Sequence, residues 1–155
     1  MRDVSTLTKQ EQCKVLEQAA AVLNLKLSKD TVFESPNEVK QFLACKLRMN
    51  EREIFAVLLL DSQNRLIEMD ELFYGTINAA SVYPREIVKT VLANNAASVI
   101  LAHNHPSGVS EPSFADKQIT KKIADALALI DVPVLDHLIV GESVYSMAEH
   151  GCLGA

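Results

Sequence analysis

The sequence predicts a single α/β domain, and three observations predict it. Residues 53–60 (EIFAVLLL) are an apolar run of the kind that forms a strand buried on both faces. Residues 97–102 (ASVILA) are a second short run, β-branched at its centre. From Ser113 onward, Ile119, Ile123, Leu127 and Ile130 recur on one face of a helix. A chain of 155 residues, 48% hydrophobic, can bury one good core, and nothing suggests a second globular unit. We expect residues 1–34 to form an N-terminal helical segment and 35–155 the folded domain.

The elements follow in order. Thr8-Lys9-Gln10-Glu11 is a capping box before a helix carrying Leu16, Ala20 and Leu23. Ser35-Pro36-Asn37-Glu38 is a second one, with proline at the first helical position and Val39, Phe42 and Leu43 facing inward. Strands at about 53–60 and 66–75 come next, joined by the turn-rich Asp61-Ser62-Gln63-Asn64 into a hairpin. Pro84 starts a helix with Ile87, Val88, Val91 and Leu92 apolar, ending near Asn94 and Asn95. The 97–102 strand, a loop and a long helix follow, then strands near 134–140 and 144–147. There are no repeats and no low-complexity segments.

The chemistry concentrates in residues 103–116, HNHPSGVSEPSFAD. His103, His105 and Asp116 are a ligand set that suits zinc, and three protein ligands leave a fourth position open, as catalytic sites require. No cysteine lies near to close a structural site. Side chains at i and i+2 of an extended chain point the same way, so a strand continuing through His103 and His105 lets them share one ion. Pro106 and Gly108 force a turn. Ser113 and Asp116 then read as a helix cap, with the acid on the first turn of a rigid helix and facing back toward the histidines. A capped helix start explains Ser113 and Asp116 by itself, and paired histidines at a strand end occur by chance. The conjunction of all four, between a strand and a helix, is much rarer and points to a metal centre.

A zinc hydrolase also needs a base. Glu53, at the mouth of its buried strand, is the leading candidate, and Glu51 is the rival; either also reads as a solvated surface acid. A strand of six residues spans roughly 20 Å. If the Glu53 and His103 strands were adjacent, parallel and in register, base and metal would lie at opposite ends of the sheet. We therefore expect them to run antiparallel or strongly offset.

The H-x-H-x7-S-x-x-D pattern with an upstream Glu resembles the JAMM (MPN+) metallopeptidase family. LDSQNRLIEMDELFYGTIN, YPREIV, NNAASVILAHNHPSG and DHLIVG resemble the C-terminal domain of RadC-type proteins more closely, from about Ser35 to Gly151. The resemblance implies a mixed β-sheet flanked by helices, the JAMM/MPN (cytidine-deaminase-like) architecture. It implies one Zn2+ per chain, held by His103, His105 and Asp116. It also maps the family's acidic residue onto Glu53 and its motif serine onto Ser113, whose hydroxyl would help stabilise an oxyanion. Peptidase members commonly carry Ser or Thr between the histidines, where this chain has Asn104, as RadC-type proteins do. That departure weakens transfer of a deubiquitinating activity.

Two functions of different classes follow. One is a zinc metallopeptidase or hydrolase, cleaving a peptide, isopeptide or related amide bond. The other is a DNA-repair or DNA-processing accessory, suggested by the historical association of RadC-type proteins with repair. RadC-type proteins usually carry a helix-hairpin-helix domain before this one, whereas only about fifty residues precede Glu53 here, without Gly-rich hairpins. The net charge of −5 gives no global case for nucleic acid, and Lys117, Lys121 and Lys122 read as a solvated helix face. No hydrophobic stretch is long enough for a membrane, and no basic-then-apolar leader is present. Cys13, Cys45 and Cys152 are odd in number and unpatterned, which suits a reducing cytoplasm; Cys45 alone has a plausible core position.

Asp136-His137 is a further polar pair inside an apolar strand. It reads either as a carboxylate and imidazole supporting the ligands or, more usually, as a buried hydrogen-bonded histidine, and it stays off the metal set. His150 reads as incidental. The letters HNH are not the nuclease signature, whose residues are spread through a ββα unit. The deaminase H-x-E with P-C-x-x-C and the zincin H-E-x-x-H are both absent.

Overall fold

The computed structural model describes residues 3–26, 33–75 and 82–153. After a short 3-10 turn at Val4–Thr6, the elements are α1 (Lys9–Lys26), α2 (Pro36–Leu47), β1 (Ile54–Leu60), β2 (Leu66–Tyr74) and α3 (Pro84–Ala93). Then come β3 (Ser98–Asn104), α4 (Phe114–Ala128), β4 (Val134–Val140) and β5 (Val144–Ser146). The strands form one mixed sheet in the order β2-β1-β3-β4-β5. All neighbours are antiparallel except β3 and β4, the pair joined through α4. This is an α/β fold, one mixed sheet flanked by helices, as the sequence predicts.

The apolar runs explain the layering. β1 and β3 are buried along their whole length, and alternate residues serve opposite faces. Ile54, Leu58, Ile100 and Ala102 pack toward Val39, Phe42 and Leu43 of α2. Phe55, Val57, Val99 and Leu101 pack toward Ile87 and Val91 of α3 and Ile119, Ile123 and Leu127 of α4. Helix α1 lies against α2, with Ala20 buried and Leu16 half-buried; the Leu23 side chain is outside the described residues.

The local signals work as their chemistry requires. In the β1–β2 hairpin, Asp61 Oδ1 accepts from the backbone N–H groups of Gln63 and Arg65, each at 2.9 Å, and Asn64 takes a positive φ of 59°. The Thr8 box closes both ways, with Thr8 N to Glu11 Oε2 at 2.8 Å and Glu11 N to Thr8 Oγ1 at 3.3 Å. The Ser35 box does not close. Pro36 fixes that helix start, the Ser35 hydroxyl makes no cap bond, and Glu38 reaches past it to the Glu34 N–H at 3.4 Å. Of the apolar residues of α3, Ile87 and Val91 are buried and Leu92 is 62% exposed. One further expectation is corrected by exposure. Cys45 is half-buried, no deeper in class than Cys13 or Cys152, because Val39, Phe42, Leu43 and Leu47 fill the inner face of α2. Among the described residues, no helix is long and apolar enough to cross a membrane.

Candidate metal centre

The centre forms where β3 runs out. His103 is fully buried in the last turn of the pleat, on the face toward α4. His105 lies one residue beyond the strand, yet its N–H still bonds to the Val140 carbonyl at 2.9 Å, so the extended geometry carries through it. The two side chains therefore share a side, with Nε2 atoms 2.9 Å apart.

Asp116 arrives from the opposite direction on the first turn of α4. The Ser113 Oγ accepts from the Asp116 N–H at 3.1 Å, and the Ser113 N–H donates to Asp116 Oδ2 at 2.8 Å, a closed capping box. That box aims the carboxylate at the imidazoles. Asp116 Oδ1 is 3.4 Å from His103 Nε2, and Oδ2 is 3.2 Å from His105 Nε2. One donor atom from each residue lies within 4.8 Å of the others. Two imidazole nitrogens and a carboxylate oxygen at this spacing fit a divalent metal of the zinc type.

The donors are held from behind. His105 Nδ1 meets the Val109 carbonyl at 2.7 Å, inside the turn that Gly108 makes at φ 90°. His103 Nδ1 meets His137 Nε2 at 2.7 Å, and His137 Nδ1 meets Thr120 Oγ1 at 2.6 Å. Thr120 Oγ1 in turn lies 2.6 Å from the Asp116 carbonyl. Phe55 packs parallel to the His103 ring (6.1 Å, 9°) and edge-on to His137 (5.5 Å, 73°), walling both off from solvent.

Charge follows this geometry. Burial pushes the Asp116 carboxyl up, but the His103 and His105 imidazoles beside it outweigh that and hold the carboxyl well below the usual carboxylate range. The bond to Asp116 raises His105 above its ordinary value, against burial, with the Val109 carbonyl and the charges of Asp116 and Glu53 adding to it. Burial drives His137 well below the ordinary imidazole value, and the neighbouring His103 reinforces that.

Glu53 sits just ahead of β1, half-buried, while Glu51 is exposed. Both line an open cleft of about 390 Å³ with Arg52, Gly75, Pro106 and Ser107. Of the two acids, Glu53 is the one whose charge is felt at His105. Ser113 is exposed at the start of α4. Its Oγ uses one lone pair on Asp116 N, which leaves the hydroxyl hydrogen to donate elsewhere.

The Asp136-His137 pair splits across the sheet. His137 backs His103. Asp136 faces the other way, accepting from the His137 and Ala148 N–H groups at 2.7 and 2.9 Å and from Ser146 Oγ at 2.5 Å. His150 is exposed and stacks on Tyr145 at 4.0 Å. Three contributors escaped the sequence reading. Thr120 is a polar residue on the apolar stripe of α4, and that misfit was its only signal. Asn104, buried on the face opposite His103, accepts from Ile54 N–H at 2.7 Å and donates to the Arg52 carbonyl at 3.1 Å, tying down the loop that carries Glu53. Gly141 lets the 106–110 turn approach, since a Cβ there would lie 2.4 Å from the Gly108 oxygen.

Fold and site thus define a single α/β domain with a buried His-His-Asp cluster at the end of a mixed sheet. Residues 33–152 match the RadC-like JAB domain model, and the chain belongs to that family. It is 54% identical over 143 residues to a UPF0758 protein of Vibrio cholerae, covering 92% of this chain and 91% of that relative. It is 56% identical over 140 residues to the UPF0758 protein PSHAa2643 of Pseudoalteromonas translucida. There the match covers 90% of this chain but 62% of the relative, as it does for a Thioalkalivibrio sulfidiphilus relative at 52% identity.

Proposed function

We propose that this protein is a zinc-dependent hydrolase of the JAMM type, acting on a peptide, isopeptide or related amide bond. The observation that carries this reading is the convergence of three donors, each held from behind, beside a cleft bearing Glu53. A zinc ion bound there supplies Lewis acidity, which lowers the pKa of a water and polarises a carbonyl. The remaining work belongs to the chain. Glu53 takes the proton from the attacking water and passes it to the leaving nitrogen. The Ser113 hydroxyl, anchored through its lone pair by Asp116 N–H, donates its hydrogen to the developing oxyanion. His103, His105 and Asp116 hold the cation, and Phe55 keeps water from the buried side of His103.

The test is elemental analysis of the purified protein beside Asp116→Ala, followed by a screen of peptide and isopeptide substrates. About one zinc per chain, lost in the variant, with amide cleavage that a chelator stops, supports the reading. No metal after zinc is supplied, or cleavage indifferent to chelation, overturns it.

A further inference from the structure

We infer that Thr120 and His137 form a positioning relay that orders the protons on His103, so that its Nε2 lone pair, and not an N–H, faces Asp116 and His105. The inference rests on the metal-centre reading for its purpose, but its content is the position of two protons.

One partner in this chain of contacts has no choice. The Asp116 carbonyl oxygen can only accept, so its 2.6 Å contact with Thr120 Oγ1 requires the hydroxyl hydrogen. Thr120 Oγ1 then offers only lone pairs to His137 Nδ1, 2.6 Å away, and that nitrogen carries a proton. His137 is fully buried, with its ring nitrogens on Thr120 Oγ1 and His103 Nδ1 rather than on a carboxylate, so burial favours a single ring proton and its Nε2 is bare. A bare Nε2 at 2.7 Å requires a proton on His103 Nδ1. That proton lies at the rear of the His103 ring, and Nε2 is left as the donor. The opposite order would set two bare oxygens 2.6 Å apart at Thr120 and Asp116, and would plant an N–H on His103 where a cation must bind. The relay begins and ends on Asp116, through its backbone and its carboxylate, so one helical turn sets both a donor and the tautomer of the donor beside it. Neither residue touches the cleft; they act through His103.

The experiment is a two-bond 1H–15N correlation spectrum of histidine-labelled, metal-free protein at about pH 9, where ordinary imidazoles are neutral. Zinc affinity is measured in parallel by competition with a chromophoric chelator. Thr120→Val removes the hydroxyl at nearly constant shape, and Thr120→Ser restores it. We expect Nδ1–H, bare-Nε2 patterns for both His103 and His137 in wild type and Thr120→Ser. In Thr120→Val we expect a mixed or inverted His103 tautomer and zinc binding weakened about 10- to 100-fold. A merely structural role for Thr120 would lower stability without moving the tautomer.

An Nε2–H pattern on wild-type His103 overturns the relay. So does a Thr120→Val protein whose His103 tautomer and zinc affinity are unchanged. If wild type shows the expected pattern yet binds no zinc, the relay stands and the metal reading fails.

Discussion

Phe55 lies opposite His103 in the antiparallel β1–β3 ladder. The strand that Glu53 introduces therefore begins at the end of the sheet where the histidine strand finishes. Base candidate and donors share one mouth, as the antiparallel expectation requires. Glu53→Gln should keep about one zinc per chain and lower kcat by about 10²- to 10⁴-fold, the usual worth of a positioned general base. A fully active Glu53→Gln protein, with metal content measured alongside, would remove Glu53 from that role.

Asn104 and Ile54 test the loop anchor. Asn104→Ala leaves the buried Ile54 N–H without its 2.7 Å acceptor, a loss of about 1–3 kcal/mol. Because Asn104 faces away from the donors, zinc stoichiometry should hold while stability and turnover both fall. Denaturant unfolding with elemental analysis separates these effects. Loss of zinc with unchanged stability would contradict the two-face account.

The shifts at His105 and Asp116 predict a pH dependence with a defined sign. A raised His105 contributes stability that is fully present below its unfolded pKa and lost as pH rises through its folded value. A depressed Asp116 contributes stability present above its unfolded pKa and lost as pH falls through its folded value. Together they make the metal-free protein gain most from this pair between the ordinary carboxylate value and the ordinary imidazole value. Zinc must displace the His105 proton, so its affinity should fall as pH drops below the raised His105 pKa. Chelator competition between about pH 5 and 8, where histidine titrates, measures this. An affinity flat across that range would contradict it.

Gly141→Ala tests the close approach of two backbones. The added Cβ would meet the Gly108 oxygen at 2.4 Å and Ser110 N at 2.9 Å. The turn must shift, and the Val109 carbonyl that holds His105 shifts with it. We expect about 1–3 kcal/mol of destabilisation, as for overpacked sites, and weaker zinc binding, read by thermal unfolding and competition titration. Ser143→Ala, nearby, removes a hydroxyl contact to Ser110 but keeps the carbonyl that accepts from Gly141 N–H; it is the control and should leave binding unchanged.

What the sequence disclosed was whatever depended on local spacing. The i, i+2 histidines, the Ser113–Asp116 cap and the fully apolar β1 are written in consecutive residues, and each stands where its period demands. The antiparallel setting of β1 and β3 was also within reach, because the chemistry forbids the alternative. The partner of His137 was not, since it follows from the parallel pairing of Leu101 with His137, which sets His103 diagonally across from it. No pattern within VPVLDHLIV states that register, nor which of Asp136 and His137 turns toward α4. Thr120 was hidden for the same reason: its hydroxyl has meaning only once β4 lies beneath it. The Ser35 box failed on a smaller point, for the letters of a cap do not fix the rotamer that closes it.

His103 and Asn104 are neighbours in sequence that serve opposite sides of one sheet. A slip of β3 by a single residue would exchange the faces, sending both imidazoles toward the α2 side and leaving the amide alone facing the acid. Every apolar contact of the strand would invert with it, so the core polices the alignment on which the donors depend. The donor geometry is thus insured by hydrophobic packing several residues away, and lengthening or shortening β3 by one residue would cost the donors before any of them was mutated.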